Sequence, residues 1–170
     1  MMLLFVPQVF AANSGTIGDN AIWSLDGNML TISGSGALEN YPTDLPGEND
    51  NNVMKQKFTS VVISEGITSV GTLWFSFCPN ITSLYLPVSL TKIEEAAFTD
   101  CYNLTDIYYA GTQEMWNAIS IERGNLDISY AEIHFAGNQT SHTKQFDEYA
   151  ANMYVKTIHI FRSIRPNSNR

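Results

Sequence analysis

The sequence predicts a short, strand-rich stack of repeated units behind an antiparallel hairpin. Three observations carry this expectation. Residues 58–80 and 81–103 align at an offset of 23, with apolar residues in register at 58/81, 61/84, 63/86, 67/90, 70/93 and 75/98. Each unit opens with the spacing L-x-x-L-x-L, and a third opening follows at Leu104-x-x-Ile107-x-Tyr109. Upstream, Ile22, Ser24 and Met29, Thr31 flank Asp26-Gly27-Asn28, which reads as two strands joined by a tight turn.

The 170 residues and 44% apolar composition suffice for one domain with a hydrophobic core and a tail. A net charge of −8 argues against nucleic acid as the main partner, because phosphate binding needs a basic face. Two cysteines are too few for a disulfide scaffold or a four-cysteine zinc site. Charge shifts along the chain: fifteen of the seventeen acidic residues precede residue 140, whereas five of the nine basic residues follow it. That break marks a boundary near Gly137.

Taken in order, residues 1–12 (MMLLFVPQVFAA) form an apolar run whose Val9-Phe10-Ala11 suits signal peptidase. The run has no basic leader and is too short to span a bilayer. It reads as a truncated signal peptide, with a short first strand as the alternative. Residues 13–57 read as the hairpin followed by an exposed acidic loop over 40–52, whose acids fit no regular calcium-loop spacing. Residues 58–137 hold the repeats and a closing segment. Residues 138–170 read as a poorly ordered tail, with Tyr154–Arg162 a possible edge strand.

A period of 23 falls in the leucine-rich-repeat range of about 20–29 residues. One such unit cannot bury its own apolar side, so units stack and each strand lies beside its copy. Alternation then points Val61, Ile63, Leu84, Leu86, Ile107 and Tyr109 inward. The second halves, Thr72–Phe77 and Glu94–Thr99, read as short helical or 3₁₀ turns, with Phe75 and Phe98 plugging the core.

The motif I-x-x-V-x-x-x-A-F-x-x-C-x-N-L-T-x-I-x-x-P is carried here by Ile93, Ala97-Phe98 and Cys101-Tyr102-Asn103-Leu104-Thr105. A looser copy is Val70, Trp74-Phe75 and Cys78-Pro79-Asn80-Ile81-Thr82. It resembles the BspA-type leucine-rich repeats of bacterial surface proteins. Tyr108–Ile119 and Ala131–Phe135 are similar to that family's closing module, and Trp23–Gly36 to its capping hairpin. The expected architecture is therefore a short, right-handed leucine-rich-repeat solenoid of about three rungs with an N-terminal β-hairpin cap. Trp74 departs from the pattern, standing where a small residue is usual. The resemblance implies a secreted or cell-surface protein that binds extracellular or host proteins.

Candidate ligand-binding residues are the outward strand positions. Val62, Tyr85 and Tyr108 form a central column, and Ser60, Ser83 and Asp106 flank it. Tyrosine is enriched at interaction hot spots. A structural ladder is expected from Cys78 and Cys101, Asn80 and Asn103, and Phe75 and Phe98. Equivalent places on adjacent strands lie about 5 Å apart, inside the disulfide window, but stacked side chains run parallel. Free buried thiols are therefore expected, as the resemblance also implies, with a disulfide as the alternative. Asn80 and Asn103 are expected as buried turn residues bonding backbone. His134, His142 and His159 are scattered, and strand alternation turns His134 to solvent. Glu94-Glu95 reads as a solvated helix start. No phosphate loop, G-x-S-x-G or H-E-x-x-H is present. The expected function is non-catalytic protein binding or adhesion through the concave face, with no cofactor, no metal and no integral membrane span. The alternative is a structural accessory module of a larger surface protein, with no ligand of its own.

Overall fold

A parallel strand presents hydrogen-bonding groups along both edges, so a strand inside a sheet needs a partner on each side. The 23-residue period supplies those partners. The computed structural model describes residues 14–17, 20–38 and 57–136. The readings of a signal peptide, an acidic loop over 40–52 and a tail lie outside the described residues.

The chain runs β1 (Ser14–Ile17), β2 (Ala21–Asp26), β3 (Met29–Gly34), β4 (Gly36–Leu38), β5 (Ser60–Ile63), β6 (Ile67–Val70) and β7 (Ser83–Leu86). It continues through β8 (Lys92–Ile93), β9 (Asp106–Tyr109), α1 (Gln113–Asn117), β10 (Ser120–Ile121), α2 (Leu126–Tyr130) and β11 (Glu132–Phe135). Two sheets result. One has seven strands in the order β1-β2-β3-β5-β7-β9-β11. Its first three strands are antiparallel, and pairing is parallel from β3 onward. The other has four parallel strands, β10-β8-β6-β4.

The hairpin turns at Gly27-Asn28, where Gly27 takes a φ of 61° that only glycine adopts without strain. Beyond it, β5, β7 and β9 pair at a 23-residue offset, Ser60 with Ser83 and Ser83 with Asp106. Threonines precede these strands at the same spacing. The backbone N–H and the hydroxyl of Thr82 both donate to Thr59 O, and the backbone N–H of Thr105 donates to Thr82 O. On the second sheet, Thr91 repeats this double bond to Thr68 O.

The core lies between the sheets. Val61, Ile63, Leu84, Leu86, Ile107 and Tyr109 are all buried, as alternation requires. Phe75 and Phe98 are fully buried and stack at 5.1 Å. Trp74 is also buried beside Phe75, with ring centroids 5.9 Å apart. Gly71 makes room for it: a Cβ there would stand 2.3 Å from Leu38 O and 3.0 Å from the Trp74 ring.

The second halves of the units are not helical. Leu73 and Phe77, and their counterparts Ala96 and Asp100 one period later, take φ of 52–62°. Two left-handed residues four places apart interrupt any helix. The strain is offset by bonds to the next unit, from the N–H groups of Leu73, Phe75 and Phe77 to the carbonyls of Glu95, Ala97 and Thr99. Glu94 and Glu95 accordingly do not start a helix. Lys92 pairs with Glu94 at 3.5 Å and Arg123 with Glu95 at 2.7 Å.

After Tyr109 the period changes, because α1 is inserted in the chain between β9 and β10. The Thr112 hydroxyl caps α1 by accepting from the Met115 N–H, and the helix buries Trp116 against Tyr109 at 5.4 Å. Asn125 then does what a further unit's backbone would do. Its buried amide accepts from Phe98 N–H (2.9 Å) and donates to Glu94 O (2.8 Å) and Glu122 O (2.9 Å).

Two losses of stability are expected in urea unfolding of the full chain. Phe98→Ala removes a fully buried ring and should cost about 3–5 kcal/mol. Asn125→Ala leaves a buried N–H and two carbonyls without these partners and should cost about 2–3 kcal/mol. A change under about 0.5 kcal/mol for Asn125→Ala would show that the amide bonds contribute nothing net.

Candidate functional site

Alternation in the parallel strands sends two rows of side chains to the outer face of the seven-stranded sheet. Register aligns Thr31, Val62, Tyr85, Tyr108 and His134 in one row, and Met29, Ser60, Ser83, Asp106 and Glu132 in the other. The rows follow from pairing, since neighbouring strands stand about 4.8 Å apart.

The first row is aromatic along most of its length. Tyr85 and Tyr108 stack with ring centroids 4.9 Å apart and 13° between planes. Tyr108 and His134 continue the stack at 4.7 Å and 16°. Both tyrosines are partly exposed. Val62 lies in the row but keeps only 8% exposure. It is a short side chain between Thr31 and the larger Tyr85, so the expectation of an exposed valine is corrected. The accessible part of the row is Tyr85, Tyr108 and His134. His134 faces outward, as alternation predicts, yet keeps only 21% side-chain exposure because Tyr108 covers one face of its ring.

The second row is polar. The Ser60 and Ser83 hydroxyls bond each other at 2.8 Å. Asp106 Oδ1 lies 2.8 Å from His134 Nε2, and its Oδ2 accepts from the Thr105 hydroxyl at 2.7 Å. Glu132 sits directly across from Asp106. One donor atom each from Asp106, Glu132 and His134 lie within 4.8 Å of one another. The linear spacing of the histidines did not reveal this group, because its members come from two strands. Placing A-E-I-H-F against D-I-Y-Y in parallel register would have found it.

Burial raises the pKa of Tyr85, with the Ser83 hydrogen bond pulling it back and Asp106 pushing it up. Burial also raises that of Tyr108, helped by the negative charge of Asp106 and the nearness of Tyr85 and Glu132.

The expected ladder residues divide into two kinds. Cys78 and Cys101 are fully buried free thiols, with no disulfide between them. Cys101 Sγ donates to Phe75 O at 3.2 Å, and Cys78 Sγ to Ser76 O at 3.7 Å. Burial pushes the Cys101 thiol far above its ordinary value, and the neighbouring Cys78 adds to this, so it is a poor nucleophile. Asn80 and Asn103 are exposed, which corrects the expectation of buried asparagines. Asn103 still bonds backbone, donating to Pro79 O at 2.7 Å, but it does so at the surface of the turn. The buried asparagine is Asn125. Among the described residues, no helix is long and apolar enough to cross a membrane.

The family model described as BspA type leucine rich repeat region (6 copies) matches residues 54–135. No curated protein matches the chain. Among solved structures, a leucine-rich repeat protein from Eubacterium ventriosum is similar, with 19% identity and a TM-score of 0.48. The match covers 76% of this chain and 45% of that one, so the chain spans less than half of that protein's length.

Raised tyrosine pKa values make stability depend on pH in one direction. The fold favours the neutral phenol, so this stabilisation is complete below the ordinary value of 10.0 and is lost as pH rises through the raised values. Urea unfolding from about pH 8 to about pH 11 should show falling stability, and Tyr85→Phe/Tyr108→Phe should flatten that fall. An unchanged slope in the double variant would contradict the assignment.

Proposed function

Residues 54–135 are BspA-type leucine-rich repeats, and from that premise we propose that the chain is a non-catalytic protein-binding module. It acts on the cell surface or after secretion, where such repeat proteins typically work. The repeats form a short right-handed solenoid of about three rungs, with the β1–β3 hairpin as its N-terminal cap. Residues 1–12 are part of a signal peptide and 138–170 lie beyond the repeat domain. Adhesion to extracellular or host proteins is the corresponding role.

The observation that carries this reading is the stack of Tyr85, Tyr108 and His134 on the outer face. Its rings are held by β7, β9 and β11 and braced by one another, so little side-chain entropy is lost when a partner covers them. Tyrosines in that state are typical anchors of protein interfaces. Ser60, Ser83 and Asp106 line one side of the stack and offer hydrogen bonds at its rim. The strands are only four residues long, so the contact is small and the affinity moderate.

The same stacking also stabilises the sheet, which supports a second reading. In it, the chain is an accessory structural module of a larger surface protein and binds nothing itself.

The two readings separate in one experiment. The full chain and Tyr85→Ala/Tyr108→Ala are tested by surface plasmon resonance against a panel of extracellular-matrix and host surface proteins. Circular dichroism checks that the variant remains folded. Binding that the double variant weakens by about tenfold or more, about 1.4 kcal/mol, supports the binding reading. Wild-type protein that binds no member of the panel, or a double variant that binds equally well, favours the structural one.

A further inference from the structure

We propose that Asp106, Glu132 and His134 form a binding site for a divalent transition-metal ion, with zinc the ion that the donor set fits best. The site joins two adjacent parallel strands, β9 and β11. Asp106 and Glu132 occupy directly opposed positions, and like charges so placed repel across a sheet. Among the described residues, Lys92 and Arg123 pair with Glu94, Glu122 and Glu95, His134 pairs with Asp106 when protonated, and no ion pair engages Glu132. A cation between the two carboxylates turns the repulsion into attraction.

His134 decides which cation. Two strand positions beyond Glu132, its side chain leans back to bring Nε2 to 2.8 Å from Asp106 Oδ1. A purely carboxylate pair would suit calcium or magnesium. An imidazole nitrogen beside two carboxylate oxygens shifts the preference to zinc and its first-row neighbours. The three donors lie within 4.8 Å of one another. Tetrahedral zinc ligands stand about 3.3 Å apart, given bonds of about 2.0–2.1 Å. Rotation of the exposed Glu132 side chain supplies the difference. Three protein donors leave a fourth position open to water or to a partner's side chain.

Two supports hold the donors in place. The Thr105 hydroxyl donates to Asp106 Oδ2 at 2.7 Å, leaving Oδ1 turned to the site. Tyr108 stacks on the His134 ring at 4.7 Å and limits its rotation. Outer partners of this kind raise metal affinity by fixing ligand orientation. The proposal does not depend on the chain binding a protein.

The test is isothermal titration calorimetry of the full chain with zinc chloride, with calcium chloride as comparator. The variants are Asp106→Asn, Glu132→Gln and His134→Ala, with His142→Ala/His159→Ala as a control for the other two imidazoles. Circular dichroism confirms that each remains folded. The expected result is saturable binding of one zinc ion, weakened about tenfold or more by each of the three single variants. The His142→Ala/His159→Ala control should bind like the wild type, and calcium should bind far more weakly than zinc. Several results would overturn the proposal: no saturable binding at about millimolar zinc, an isotherm unchanged in His134→Ala or Glu132→Gln, or loss confined to the control.

Discussion

Backbone hydrogen bonds that run from each unit to its neighbour are the constraint on which everything else rests. The parallel strands bond sideways, and so do the turns that follow them, where Leu73, Phe75 and Phe77 donate to Glu95, Ala97 and Thr99. Any side chain at a given place in one unit must therefore sit beside its counterpart in the next. The stacked phenylalanines, the paired serine hydroxyls, the doubled threonine bonds and the tyrosine column are all products of that alignment. The left-handed residues of the turns are tolerated for the same reason, since each unit's turn is held by the backbone of the next.

An aligned array has ends, and each end needs its own chemistry. At one, the antiparallel hairpin offers β3 as a parallel partner for β5. At the other, β11 covers β9, while Asn125 uses one side-chain amide to satisfy groups on Glu94, Phe98 and Glu122. Trp116 and Ile128 close the apolar interior where the period breaks. The aromatic row and the Asp106–Glu132–His134 group reach their full extent at this closing end, because His134 and Glu132 belong to β11.

What could be read from the residues is what depends on period and alternation. The offset of 23 placed β5, β7 and β9 side by side and predicted the inward residues, the stacked rings Phe75 and Phe98, and the outward tyrosines. The hairpin was legible from Asp26-Gly27-Asn28. The second sheet was not, because β8 and β10 have two residues each and cannot display alternation. Nor were the turns, because Leu73, Phe77 and Ala96 are not residues that advertise a positive φ, and Asp100 alone of the four is of a type enriched there. Asn80 and Asn103 repeat in register yet are exposed, since a shared period does not say which side of a turn faces water. His134 was judged against other histidines along the chain, whereas its neighbours lie across the strand pair. The insertion of α1 moves β11 from a 23-residue to a 26-residue offset from β9, from Asp106 to Glu132, and conceals the match.

The backbone bond from each threonine to its predecessor has a consequence for how such a chain changes over generations. Thr82 and Thr105 each act as acceptor to the unit after them and donor to the unit before them. A duplication or deletion of one whole period in the gene would leave every such contact with an equivalent partner. It would lengthen or shorten the tyrosine column by one member and disturb neither end. A slip of any other length would shift the rows unless a connecting segment absorbed it, as the segment between β9 and β11 absorbs the 26-residue step from Asp106 to Glu132. Unequal recombination between copies is thus filtered by hydrogen-bond geometry, and array length becomes a trait that can vary without the fold being reinvented.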